Sequence, residues 1–262
     1  MPKSKRQFLK AYEWSQFDQI SSDQQKELPR PELQKVVSAD AVLIDLISPE
    51  AFTIGNTPTI DVIRDRRSHR QFTSEYLTLE QLSFLLWATQ GVRDKVVDNG
   101  ITYIMRNVPS GGNRHPFETY LSIHRIEGIK PGLYRYLPID HKLILEMLDG
   151  ELSEQVNQAS LNQNSGSAAQ PYYFIKEAAV VFIWTAIPYR SEWRYHTAAA
   201  KLIALDAGHI CQNLYTATGS IGAGTCAIGA YDQVKMNELL ELDGEDEFVI
   251  YMAPVGKIRR GD

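Results

Sequence analysis

Ala178-Ala179-Val180-Val181-Phe182-Ile183-Trp184-Thr185-Ala186-Ile187 is the longest apolar run in the chain. It is far shorter than the roughly 20 residues a helix needs to cross a bilayer. β-branched and aromatic side chains fill it without alternation, so it reads as a central strand buried on both faces. Working outward, the pattern changes type. Upstream, Glu118 to Ile126 alternates like a strand, and Leu133–Leu137 with Lys142–Met147 reads as a hairpin around Asp140-His141. Thr78-Leu79-Glu80-Gln81 has capping-box spacing. Leu79, Leu82, Leu85, Leu86 and Thr89 then share one helical face, with Gly91 as a stop. Downstream, a long helix is expected from Thr197 to about Thr218, ending at Gly219. Ala198, Ala199, Ala200, Ala204, Ala207 and Gly208 give it a small side that another helix can approach. A shorter helix follows over Asp232–Leu242, and Phe248–Ala253 is the last strand. Strands and helices do not alternate regularly, which predicts an α+β fold rather than a doubly wound one.

Residues 1–56 are polar and weakly patterned, with prolines at 29 and 31, and are expected to form an arm with short helices beside a main domain over 57–262. The Asn-, Gln- and Ser-rich stretch within 150–176 reads as a mobile loop. Net charge is −5 over 262 residues, which disfavours nucleic acid or an anionic membrane as partner. Two cysteines, Cys211 and Cys226, make no disulfide framework and point to a reducing compartment. The basic N-terminus lacks the apolar core of a signal peptide. Together these predict a soluble cytoplasmic protein. No metal-ligating set is read.

Four segments can carry chemistry. In Arg66-Arg67-Ser68-His69-Arg70, three guanidiniums and a hydroxyl fall within five residues. Such cations repel one another unless an anion sits among them, and the planar fork suits a phosphate. In Pro109-Ser110-Gly111-Gly112-Asn113-Arg114-His115-Pro116, two glycines let backbone approach a ligand, and Ser, Asn, Arg and His supply donors. Gly222-Ala223-Gly224-Thr225-Cys226-Ala227-Ile228-Gly229 has glycines, but it follows a helix instead of opening one, so a dinucleotide fingerprint is rejected. Pro254-Val255-Gly256-Lys257-Ile258-Arg259-Arg260 closes the chain with cations that can complete an anion site begun at Arg66.

In this order and spacing, RRSxR, PSGGNxHP, DAGHICQN with GxGTCxIG, and PVGKxRR resemble the FMN-dependent nitroreductase superfamily over roughly residues 57–260. Within it the chain looks most like the SagB-type, azoline-oxidising branch. The resemblance implies a mainly antiparallel central sheet flanked by helices, in a domain-swapped homodimer with flavin sites at the interface. It implies that Arg66 and Ser68 bind the FMN phosphate and ribitol, with Arg67 beside them, and that Arg70 faces flavin N1 and the C2 carbonyl. A fixed cation there stabilises the reduced, anionic flavin. Pro109, Ser110, Gly111, Gly112 and Asn113 match the segment that reaches the flavin from the other subunit. Ile228 and Gly229 match the N5 and O4 edge, and Lys257, Arg259 and Arg260 the C-terminal phosphate clamp. His209 belongs to the branch signature.

The resemblance implies an enzyme passing hydride through the flavin by a ping-pong route, with NAD(P)H as a candidate donor and a small molecule or peptide as substrate. Arg70 and Tyr195 are the candidate catalytic residues. Where the azoline-oxidising relatives carry a Lys-Tyr pair, this chain has Arg194-Tyr195. Arg stays protonated and is a poor general base. Azoline oxidation of a modified peptide is therefore the alternative activity, and a non-catalytic flavin-binding scaffold subunit is the other. Tyr189, Trp193 and Tyr195 fall in one short segment and read either as an aromatic lid or as a packing cluster.

Overall fold

The computed structural model describes residues 3–98 and 100–259. A seven-stranded antiparallel sheet organises it. Its strands are β1 (Leu43–Asp45), β4 (Phe117–Ile123), β5 (Gly132–Leu137), β6 (Lys142–Met147), β9 (Val180–Ala186), β10 (Ala223–Thr225) and β11 (Phe248–Lys257). Their spatial order is β1-β6-β5-β4-β9-β11-β10. The apolar run thus becomes β9, the strand between β4 and β11, and every residue of it is buried. The mainly antiparallel sheet expected from the sequence is what forms.

Helices cover both faces of this sheet. One face carries α2 (Leu79–Gln90) and the long α5 (Ala199–Ser220), and their packing with Leu121, Phe182 and Trp184 makes the larger core cluster. The small side of α5 is not where α2 packs: Ala200, Ala204 and Gly208 are exposed, and α2 meets α5 farther along, where Asn213 Nδ2 donates to Ala88 O. The other face carries α3 (Leu152–Ala159) and α6 (Gln233–Leu239) over Tyr120, Val181 and Ile183. The capping box at α2 forms as expected: Gln81 N–H donates to Thr78 Oγ1, and Thr78 N–H donates to Gln81 Oε1. Shorter pieces complete the chain: α1 (Thr59–Asp65), α4 (Tyr189–Tyr195) and the hairpins β2 (Val92–Asp98) with β3 (Ile101–Arg106) and β7 (Ser165–Ser167) with β8 (Gln170–Tyr172). No helix among the described residues is long and apolar enough to cross a membrane.

Several sequence expectations are corrected. The segment 150–176 is not a loop: Leu152, Val156 and Ala159 share one buried face of α3, and a short hairpin follows. β4 does not alternate, because all of it is buried between β5 and β9 under helices on both sides. β11 runs past Pro254 to Lys257, since Val255, Gly256 and Lys257 pair with β10, and Pro254 lies just outside that ladder. The long helix begins at Ala199, after a 3-10 turn over His196–Ala198. α6 ends at Leu239, three residues early.

The N-terminal arm contributes two 3-10 segments, Lys3–Leu9 and Tyr12–Gln19, before β1. β1 pairs with β6 as the edge of the main sheet, Leu43 opposite Ile144. Lys35 donates to Tyr120 Oη and to Glu247 Oε2, so the arm also reaches the sheet through charge.

Candidate functional site

The arginine segment leaves α1 at Arg66 and lies across the end of the sheet. His69 N–H donates to Thr225 O at 2.9 Å, and Thr73 N–H donates to Lys257 O at 2.8 Å. The crossing is close. A Cβ on Gly224 would stand 2.6 Å from Ile258 Cγ2 and 2.7 Å from His69 Cβ, so only glycine fits there. The arginine segment and the last strand are therefore brought together. Arg66, Arg67, His69, Tyr215, Ala223 and Ile258 are among the residues lining a cavity of about 150 Å3 at this crossing.

The electrostatics of this corner suit an anion. Arg66, Arg67, Ser68 and Arg70 are exposed. Arg66 stacks over Tyr215, with Cζ 5.5 Å from the ring centre, and Arg67 Nη1 donates only to the carbonyls of Arg64 and Arg66. Among the described residues neither Arg66 nor Arg67 pairs with a carboxylate; Asp61, which also lines the cavity, bonds Arg64 at 2.9 Å. The Tyr215 hydroxyl is the hub. It accepts from Ala227 N–H at 2.9 Å and lies 3.0 Å from Ser68 Oγ. Burial pushes the adjacent Cys226 thiol up, while the charge of Arg70 opposes the shift. The Arg70 charge is thus within electrostatic reach of Cys226 in the glycine-rich segment.

Of the C-terminal basic residues, Lys257 ends β11 opposite Ala223. Arg259 is exposed, and its charge bears on the Tyr172 phenol. Arg260 lies outside the described residues. Ile228 is buried and exchanges both backbone bonds with Met252, whereas Gly229 is exposed, and a Cβ there would make an ordinary contact with the Tyr251 ring at 3.9 Å.

Pro109 to Asn113 forms a second corner. Ser110 Oγ donates to Asp206 Oδ2 at 2.6 Å, and Gly111 N–H donates to the same oxygen at 3.0 Å. Asp206 lies in the middle of α5, buried, and burial raises its pKa against the lowering effect of those two bonds. These donors are turned inward, while Asn113 Oδ1 lies 2.7 Å from His115 Nε2. Gly112 has φ +59, and a Cβ there would be 2.2 Å from the Tyr195 hydroxyl. Tyr195 therefore belongs to this corner, not to the arginine corner. It packs edge-on against Trp14 of the arm at 5.8 Å. The aromatic segment is divided: Trp193 Nε1 donates to Leu28 O, Tyr189 Oη to Asp23, and only Tyr195 meets the glycine loop. His209 is exposed, its Nδ1 3.7 Å from Asp206 Oδ1.

Asp206 and Tyr215 are nine residues apart on α5. Nine residues are about 13 Å of rise and two and a half turns, so the two corners sit on opposite faces of one helix. Sequence reasoning missed both anchors. The available signal was a lone Tyr among Ala, Gly and Thr just before the glycine-rich segment, and a lone carboxylate on the small-sided helix.

Comparison with known proteins agrees with this geometry. The family model described as "Nitroreductase family" matches residues 63–257. A provisionally named nitroreductase of Methanocaldococcus jannaschii is 32% identical over 197 residues, 75% of this chain and 89% of that protein. The trifolitoxin-processing protein TfxB of Rhizobium leguminosarum bv. trifolii is 32% identical over 123 residues, 46% of this chain and 31% of its own length. A crystal structure from Anabaena variabilis, also assigned to the nitroreductases, superposes with a TM-score of 0.70 at 21% identity, covering 96% of this chain and 45% of that one. With its matched region spanning all of the main sheet but β1, both helical layers and both corners, the chain belongs to the nitroreductase family of oxidoreductases.

Proposed function

We propose that this chain is an FMN-dependent oxidoreductase that works as a homodimer. The observation that carries the reading is the crossing of the arginine segment over β10 and the end of β11, where, among the described residues, Arg66 and Arg67 have no carboxylate partner beside a cavity. The family is flavin-dependent, and the residues present suit the cofactor. Arg66, Arg67 and Ser68 would hold its phosphate and ribitol, because charge-assisted bonds to a phosphate are the strong ones. Lys257, Arg259 and Arg260 would add positive charge from the chain's other end. Arg70, whose charge bears on Cys226 in the glycine-rich segment, would supply the fixed cation near the ring, and Ile228 with Gly229 its backbone edge. Bound FMN supplies a two-electron carrier that takes hydride from a donor such as NAD(P)H and passes it on in a separate half-reaction.

The second corner argues for the dimer. Within one protomer, α5 stands between Ser110 and Ser68, and a helix with its side chains is about 10–12 Å across. Pro109 to Asn113 would therefore reach the cofactor of a second copy, bringing Tyr195 with it as a proton donor above the ring. The test is direct. Purified protein should bind one FMN per chain, sediment as a dimer and be bleached by NAD(P)H without air. A colourless monomer that ignores added FMN overturns the proposal.

A second reading, dehydrogenation of an azoline ring in a modified peptide, draws on the likeness to a trifolitoxin-processing protein. Arg194 in place of lysine weighs against it, since a guanidinium does not take a proton near neutral pH. A two-dalton mass loss from an azoline peptide separates the readings.

A further inference from the structure

Beside the Pro109–Asn113 corner, three guanidiniums from three parts of the chain come within electrostatic reach of one another, none of them paired with an acid among the described residues. Arg30 comes from the arm, Arg114 follows the glycine loop, and Arg194 comes from α4. Each lies on an aromatic ring: Arg30 Cζ is 5.0 Å from the Tyr103 centroid, Arg114 Cζ 5.1 Å from Trp193, and Arg194 Cζ 5.5 Å from Tyr195. Stacking holds the planes and leaves the edges of the forks to donate. Among the described residues none of the three makes an ion pair, and the only hydrogen bond any of their side chains gives is Arg30 Nη1 to Thr102 O.

The missing partners are buried. Arg30 Nε and Nη2, Arg114 Nε and the Asn113 Nδ2 amide are all shut off from solvent with nothing to donate to. Arg114 is 6% exposed, so its orphaned donor sits in the interior. A buried polar group without a partner is costly, and a buried unpaired charge more so. Glu118, the buried acid nearest in sequence, is committed elsewhere, accepting from Arg190 Nη2 at 2.6 Å. Burial pushes the Arg114 pKa down to about 10, and the charges of Arg30 and Arg194 push the same way, which places all three within electrostatic reach.

We propose that Arg30, Arg114 and Arg194, with Asn113, form a binding site for an anionic group, the phosphate or carboxylate of a ligand that enters beside Tyr195. An oxyanion has the lone pairs these donors lack and offsets the mutual repulsion of the three cations. Arg194 is exposed and forms the entrance, while Arg114 forms the floor. The site is separate from the Arg66 corner and does not depend on the identity of the cofactor.

The test uses full-length protein saturated with FMN, or cofactor-free protein if none binds. Inorganic phosphate and succinate are titrated in parallel, read by calorimetry and by tryptophan emission, since Trp193 lies under Arg114. Saturable binding of one anion per chain is expected, weakened at least about tenfold in Arg194→Gln and in Arg30→Gln and partly restored in Arg194→Lys. Arg194 is exposed, so its variants keep the fold even if an Arg114 variant does not. Tighter phosphate indicates a phosphorylated ligand, tighter succinate a carboxylate, and equal binding the shared chemistry. The proposal is overturned if neither anion saturates, or if the Arg194 and Arg30 variants bind like the parent.

Discussion

Ser68 Oγ and the Tyr215 phenol oxygen stand 3.0 Å apart, joining the arginine segment to the last turns of α5. The phenol oxygen already accepts from Ala227 N–H, so its own hydrogen is free to point at Ser68. Tyr215→Phe leaves that N–H without an acceptor. A loss of about 1–3 kcal/mol in urea unfolding is expected, together with several-fold weaker FMN binding by fluorescence quenching. An unchanged cofactor affinity would separate this bond from the site.

The arginines of one cluster should differ in phenotype. Arg66→Ala removes a charge-assisted bond of about 1.5–3 kcal/mol and should weaken FMN binding roughly 10- to 150-fold. Arg70→Ala should retain much of the binding but lower the flavin potential, by about 30 mV for each 1.4 kcal/mol of lost preference for the reduced form. Titration and potentiometry distinguish them, and exchanged phenotypes would mean the two side chains have each other's roles.

Gly112→Ala and Gly128→Ala make a matched pair. Both glycines have positive φ, +59 and +78, but only the Cβ at 112 meets an obstacle, the Tyr195 hydroxyl. Each should lose about 1 kcal/mol of stability from backbone strain. Gly112→Ala should lose more and also lower kcat/KM by displacing Tyr195. Equal effects on turnover would dissociate the loop from catalysis.

Acid sensitivity should trace to buried histidines. His124 Nδ1–H donates to Ala178 O and its Nε2 accepts from Ser122, and burial holds its pKa down at about 4. His115, buried beside Arg106, Arg114 and Arg190, is pushed to about 2. The unfolded chain then binds protons that the folded chain refuses, so stability falls as pH drops below about 6.5. For His124 the loss approaches roughly 3 kcal/mol by pH 4. Chemical denaturation across pH 4–7 should give a flatter profile for His124→Asn, and a parallel profile would assign the acid effect to other groups.

Much of this was legible in the residues. The capping box at Thr78–Gln81, the buried run at β9 and the order of the four motifs are local signals, each decided within a few positions. What stayed hidden depended on tertiary neighbours. α3 is only eight residues, and its Asn, Gln and Glu content masked a buried face of Leu152, Val156 and Ala159. In the β2–β3 hairpin, β2 carries Arg93, Asp94, Lys95 and Asp98 on a mostly exposed strand, so no apolar period marks that half of it. Tyr215 and Asp206 gain meaning only when α5 presents them to segments about 100 or more residues earlier in the chain, Ser110 and Ser68.

β1 has a consequence for handling the protein. Its three residues shield the outer flank of β6. A shortened chain beginning at residue 57, where the matched region is about to start, would bare the amide and carbonyl row of β6, a template on which another molecule can add a strand. Removing the first 56 residues should therefore show up first as concentration-dependent clumping, with the cofactor corner still intact.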